Sequence, residues 1–147
     1  MTLYGKKSIK VYQTLCSVLK RNDIIYECDE NNLCVRCSIS GKEKDFRMIF
    51  VIEPSKMLIS LYVPIEIDSG LRNVSDLAFA LCVINDTLSD GHFCFDRRNT
   101  GVYFKMTSSF YNSILSESIF EYMLSVAAEK TDEYYLKINE LVSLWKW

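Results

Sequence analysis

The chain has 147 residues, of which 49% are hydrophobic, 24% charged and 13% aromatic, with a formal net charge of −2. That is one domain's length, too apolar for a disordered chain and large enough to bury a core without disulfide or metal staples. The weakly acidic balance excludes a strong electrostatic pull on nucleic acid, and six Cys beside a single His leave little material for histidine-rich metal sites.

Residues 8–21 read as an amphipathic helix, with Ile9, Tyr12, Cys16 and Leu19 at helical spacing, Ser8 as N-cap and Asn22-Asp23 as terminator. The basic residues Lys6, Lys7, Lys10, Lys20 and Arg21 fall on its expected solvent side. A strand from Ile24 to Cys28 follows, and Asp29-Glu30-Asn31-Asn32 has hairpin-turn chemistry. Leu33, Val35, Cys37 and Ile39 then alternate with Cys34, Arg36, Ser38 and Ser40, the period of a strand with one buried face. After the turn at Gly41, Phe46, Met48, Phe50 and Ile52 repeat that pattern. After Glu53-Pro54-Ser55-Lys56, so do Met57, Ile59, Leu61 and Val63, until Pro64 closes the run. Such short connections predict an antiparallel meander.

Residues 73–89 change to helical period, with Leu77, Leu81, Ile84 and Leu88 as the stripe and Ala78 and Cys82 beside it. Gly91 suits a left-handed position after a helix. Two short strands, 92–96 and 102–106, flank a polar loop from Asp96 to Gly101. The last 30 residues are helical, with Ser116 as cap, a Leu115–Phe120 staple and a kink or break at Thr131-Asp132. Two apolar faces follow: Ile119, Phe120, Met123, Leu124 and Ala127, then Tyr134, Ile138, Leu141 and Trp145. The expected fold is α+β over residues 1–147 as one domain: helix, three or four strands, helix, two strands, long helix, with the helices packed on one face of an antiparallel sheet.

The chemistry-bearing candidates are few. Cys34-Val35-Arg36-Cys37 is a CxxC, but no second ligand pair accompanies it, and residues three apart on a strand point to opposite faces. His92 and Cys94 share a strand face with Asp96 as a conceivable third member. An ordinary polar outer face is the better account of that pattern. Glu27, Asp29 and Glu30 cluster at a hairpin without calcium-loop spacing. The common hydrolase, zinc-protease and nucleotide-loop motifs are absent from the sequence. No catalytic residue, metal site or cofactor is expected. The longest apolar run, Leu77 to Ile84, is eight residues, whereas a membrane helix needs about 20. No leader segment is expected either, so the chain reads as cytoplasmic with reduced thiols.

The more informative surface is the second face of the sheet. Ile49, Val51, Leu58, Tyr62 and Tyr103 fall there, with His92 and Cys94, and are interleaved with Arg36, Arg47, Ser60 and Lys105. A face left to water is normally more uniformly polar, and a mixture of apolar, aromatic and Arg residues suits a protein interface. Cover by the chain's own loops or terminal helix is the competing explanation.

The segment LAFALCVINDTLSDGHFCFDRRNTGVYFKM, Leu77 through Met106, resembles the helix–strand–strand core of the YbjN-like domain in the type III secretion chaperone-like superfamily. The shared features are Asn85 near the helix end, Gly91-His92-Phe93 opening a strand, Asp96, and a hairpin Gly at Gly101. The order of elements over the whole chain agrees. The resemblance implies no catalytic residue. It implies a binding or chaperone-like module of a kind that is often homodimeric. Together with the mixed second face, this gives the leading expectation: a non-enzymatic module that docks a partner protein on its sheet face or edge, as a homodimer. The alternative is a thiol-based redox enzyme or sensor using Cys34, Cys37 or Cys94.

Overall fold

The computed structural model describes residues 5–67, 74–96, 98 and 101–144. Its elements are α1 (Lys6–Arg21), β1 (Tyr26–Asp29), β2 (Cys34–Ser40), β3 (Asp45–Glu53), β4 (Leu58–Ile65), α2 (Val74–Asp86), β5 (His92–Asp96), β6 (Gly101–Ser109) and α3 (Glu117–Leu144). The strands form one sheet in the order β1-β2-β3-β4-β6-β5, and every pairing is antiparallel. The α+β class and the expected order of elements are therefore found.

The period-2 patterns decide which side of the sheet is covered. Phe46, Met48, Phe50 and Ile52 of β3 and Ile59, Leu61, Val63 and Ile65 of β4 are buried, as are Val102, Phe104 and Met106 of β6. Leu15, Val18 and Leu19 of α1, Leu77 and Leu81 of α2, and Phe120, Met123, Ala127 and Ile138 of α3 complete the same core. Rings mark the contact between layers: Phe46 meets Tyr135 of α3 at 5.6 Å between centroids, and Phe93 meets Tyr134 at the same separation.

Several local expectations are corrected. Helix α1 starts at Lys6 with Gly5 as N-cap, and Ser8 is a buried helix residue rather than the cap. Its C-terminus closes as a Schellman motif. Asp23 takes a left-handed φ of 55°, its N–H donates to the Lys20 carbonyl, and the Ile24 N–H reaches back to Leu19. Strand β1 then begins at Tyr26, two residues later than the apolar pattern suggested, and Ile25 is exposed.

Leu33 and Met57 are not strand residues. Each ends a four-residue hairpin loop in the left-handed region, with φ of 48° and 51°. A neighbouring element holds each one: the Leu33 carbonyl accepts from the Ile52 N–H, and the Met57 carbonyl accepts from the Phe110 N–H. Pro64 does not end β4. The ladder to β3 stops at the Ile49–Tyr62 pair, whereas that to β6 continues through Pro64–Tyr103 to Ile65–Val102. Pro64 thus stands beyond the point where β3 asks for a backbone donor.

Helix α3 runs unbroken through Thr131 and Asp132. Thr131 is buried, and Asp132 reaches out to accept the Lys42 N–H in the β2–β3 turn. Ser116 precedes the helix, with its hydroxyl on that of Ser118. The basic residues of α1 are not all solvated. Lys7 donates to the carbonyls of Phe110 and Tyr111, and Arg21 forks between Glu117 and Glu121 of α3. The expected Trp145 contact and part of the 96–101 loop lie outside the described residues.

Asn85 joins α2 to the edge of the sheet. Its side-chain carbonyl accepts from the Phe93 N–H at 2.7 Å, and its amide donates to the Phe93 carbonyl at 2.9 Å. The side chain thereby stands in for a strand neighbour on β5. Gly91, with φ of 74°, lets the chain enter β5, and a Cβ there would lie 2.3 Å from the Phe104 ring. Replacing Asn85 with Ala removes both bonds and leaves a half-buried peptide unpaired. The expected loss is about 1–3 kcal/mol of unfolding free energy, read by urea denaturation with an unchanged m-value.

Candidate functional site

The face of the sheet turned away from the helices is built by cross-strand register. Arg36 of β2 stands opposite Ile49 of β3, Ile49 opposite Tyr62 of β4, Tyr62 opposite Lys105 of β6, and Lys105 opposite His92 of β5. A second row sets Cys34, Val51, Ser60 and Thr107 side by side. Further along β6, Tyr103 lies between Pro64 and Cys94. All five residues expected on this face, Ile49, Val51, Leu58, Tyr62 and Tyr103, are therefore on it, and each is half-buried.

Their surroundings mix ring, aliphatic and cationic chemistry. The Tyr62 and Tyr103 rings are tilted together with centroids 5.8 Å apart. Lys105 Nζ stands 5.2 Å from the Tyr62 centroid, within cation–π range. The Ser60 and Thr107 hydroxyls bond at 3.1 Å, so buried Ser60 is satisfied within the face. Leu58 sits apart from the aromatic pair, between Glu53 and Ser109.

Two shallow depressions flank this centre. One, of about 730 Å³, lies where β1 stops short of the end of β2, lined by Ile25, Tyr26, Arg36, Ile39 and Ile49 among others. The other, of about 880 Å³, lies beside Arg47, Tyr62, Pro64, Arg98 and Tyr103. Neither is an enclosed cleft that would strip water from a reacting group.

The expected thiol candidates are placed as follows. Cys34 is opposite Val51 on the outer row, whereas Cys37 is opposite Met48 on the core side, so the two sulfurs diverge as the strand spacing predicts. Both are buried. Burial pushes the Cys37 thiol up to about 11, the wrong direction for a reactive thiolate. The Cys94 thiol is also raised, chiefly by burial and against the lowering influence of Tyr103 and Lys105. His92 is exposed on the same strand. Among the described residues, no group of three or more His, Cys, Asp or Glu is arranged to hold a metal ion. None of the described helices is long and apolar enough to cross a membrane.

Two features were not anticipated. Cys82 is exposed, because the middle of α2 is apolar all round and it is the Leu77–Leu81 side that reaches the core. Phe79 and Val83 on the other side are 72% and 54% exposed. The unbroken run Leu77–Ile84 was the available signal, since a helix apolar on every side asks for cover on every side. The second feature, a contact between Cys16 and Cys28, crosses between α1 and β1 and has no local sequence signature.

No protein-family model matches the sequence, and no curated protein matches it either. Solved structures do match. A chain of the HopA1–SchA chaperone–effector complex aligns with a TM-score of 0.65 at 8% identity, covering 89% of this chain and 97% of that one. A chain of the ExsC–ExsE complex aligns with a TM-score of 0.65 at 17% identity, covering 92% and 95%. YbjN from E. coli aligns with a TM-score of 0.63 at 14% identity, covering 88% and 91%. The arrangement of helices around the six-stranded sheet is thus the fold of these solved structures, YbjN among them, as the resemblance of the Leu77–Met106 segment to the YbjN-like domain implied.

Proposed function

We propose that residues 1–147 form one cytoplasmic, non-enzymatic protein-binding domain that holds a partner segment in chaperone-like fashion. The observation that carries this reading is the sheet face that no described helix covers, where Ile49, Val51, Tyr62 and Tyr103 lie among Arg36, Arg47 and Lys105. Two of the similar solved structures are chaperone–effector or two-protein complexes, which supports a protein as the ligand. An extended segment suits the geometry. It can lay alternate side chains across the aromatic pair and into the flanking depressions, and its backbone can pair with β2 beyond Cys37, where β1 no longer covers it. The cations on the face favour a partner segment that alternates apolar and acidic residues.

A homodimer is the second part of the proposal. The exposed Phe79 and Val83 of α2, one helical turn apart, form an apolar patch that a second copy would cover by the same patch under twofold symmetry. This surface belongs to α2 beside β5, not to the central strands that carry Tyr62. Partner binding and self-association are therefore separable by mutation.

Tyr62→Asp and Val51→Asp are each expected to weaken partner binding at least tenfold while leaving the circular dichroism spectrum and thermal midpoint close to wild type. Isothermal titration against a captured partner segment checks this, and unchanged affinity in both variants overturns the docking face. Phe79→Asp with Val83→Asp is expected to shift the protein from dimer to monomer in sedimentation equilibrium. A wild-type monomer at micromolar concentration would overturn the dimer.

A further inference from the structure

Away from the sheet's outer face, two thiols from different elements meet. Cys16 Sγ on α1 lies 3.6 Å from Cys28 Sγ on β1. The register places Cys28 opposite Val35, on the side of the sheet that faces the helices. The Schellman turn at Asn22-Asp23 reverses the chain so that β1 returns alongside α1. Cys28 is exposed and Cys16 is half-buried. Tyr12, one helical turn before Cys16, completes the cluster, its buried hydroxyl lacking a partner in good hydrogen-bonding geometry. Burial first, then the neighbouring Cys28, pushes the Cys16 thiol up to about 12. This leaves the exposed Cys28 as the sulfur that meets an oxidant first, and makes the contact distance, not thiolate character, the reason Cys16 can follow. The pair thus combines one sulfur open to solvent with one held in reserve behind it.

We propose that Cys16 and Cys28 form a reversible disulfide when the protein meets a hydroperoxide, fastening the edge strand β1 to helix α1. The exposed Cys28 sulfur attacks the terminal peroxide oxygen. The O–O bond breaks, an S–O bond forms, and water or an alcohol leaves, so that Cys28 becomes a sulfenic acid. The Cys16 sulfur then displaces that hydroxyl. The S–S bond forms, the S–O bond breaks, and the Cys16 proton departs with the hydroxyl as water. Two thiols have lost two electrons and the hydroperoxide has gained them. A dithiol reductant reverses the change by exchange and leaves as its own disulfide.

Thiol contact distance leaves only a small approach to the bonded separation of about 2 Å. The consequence falls on the strand with the fewest ties. β1 has four residues and, among the described residues, pairs with β2 alone, and Tyr26 and Glu27 on it line one of the two depressions. The bond closes the chain between residues 16 and 28, including that turn, and so stiffens one wall of the depression. This inference is independent of what the outer face binds.

The test is full-length protein treated with hydrogen peroxide and mapped by non-reducing peptide mass spectrometry. A single dominant Cys16–Cys28 link is expected, with a thermal midpoint several degrees higher that dithiothreitol returns to its starting value. Cys82→Ser and Cys94→Ser should leave the link intact. In Cys16→Ser, Cys28 should stop at a sulfenic acid trapped by dimedone. Links that run through Cys82 or Cys94 or join two chains would overturn the proposal. So would a wild-type Cys28 that dimedone traps to the same extent as in Cys16→Ser.

Discussion

Alternation along β3, β4 and β6, locked by antiparallel register, is the constraint on which the rest of the molecule depends. Phe50, Leu61 and Met106 fall in one cross-strand row, and Met48, Val63 and Phe104 lie beside it on the same side. A slip of one residue anywhere in these ladders would turn a fully buried stripe to water. With the stripe fixed, all three helices have one side of the sheet to cover, and Asn85 and Asp132 bind α2 and α3 to strand and turn backbone at defined points. The opposite face inherits its composition from the same register. Ile49, Tyr62 and Lys105 are neighbours because Phe50, Leu61 and Phe104 must be buried beside them.

That dependence explains what was legible in the sequence. The period-2 signal in Phe46–Ile52 and Ile59–Val63 is strong because burial enforces it at every second position, and the five outer-face residues follow by parity. Signals that rest on one residue's usual preference were less secure. Ser8 is a good cap by type, yet its position on α1 faces the core. Leu33 and Met57 read as strand because they are apolar, although hairpin geometry puts each in a left-handed conformation secured by a hydrogen bond from a distant chain segment. Pro64 reads as a stop, but a proline stops a strand only where a neighbour needs its missing N–H. The Cys16–Cys28 contact and the exposed side of α2 depend on how elements pack, which no local pattern encodes.

Identities of 8–17% to structures aligned over nearly their whole length mean that side chains at matched positions are mostly different. What such chains hold in common is the order of elements and the apolar spacing that buries them. Shared fold therefore transfers the scaffold and leaves the surface chemistry to each chain. In this one, the surface chemistry is an aromatic pair flanked by cations on a broad, open sheet face, with shallow depressions on either side.

The half-burial of that face limits what the proposed docking could gain from any one residue. Tyr62 and Tyr103 already cover each other, and Lys105 stands over Tyr62. Full burial of one large apolar side chain is worth roughly 1.5–3 kcal/mol, so a half-covered one has only about half of that left to give. The translational and rotational cost of association, about 4 kcal/mol or more, cannot be met by one such residue. Several must be covered at once, together with backbone pairing along the free part of β2. A compact side chain entering a single pocket does not satisfy that requirement. In the proposed docking a strand-like segment does, because its backbone can pair along the free part of β2 while every second side chain turns onto the outer face beside Arg36 and Ile49.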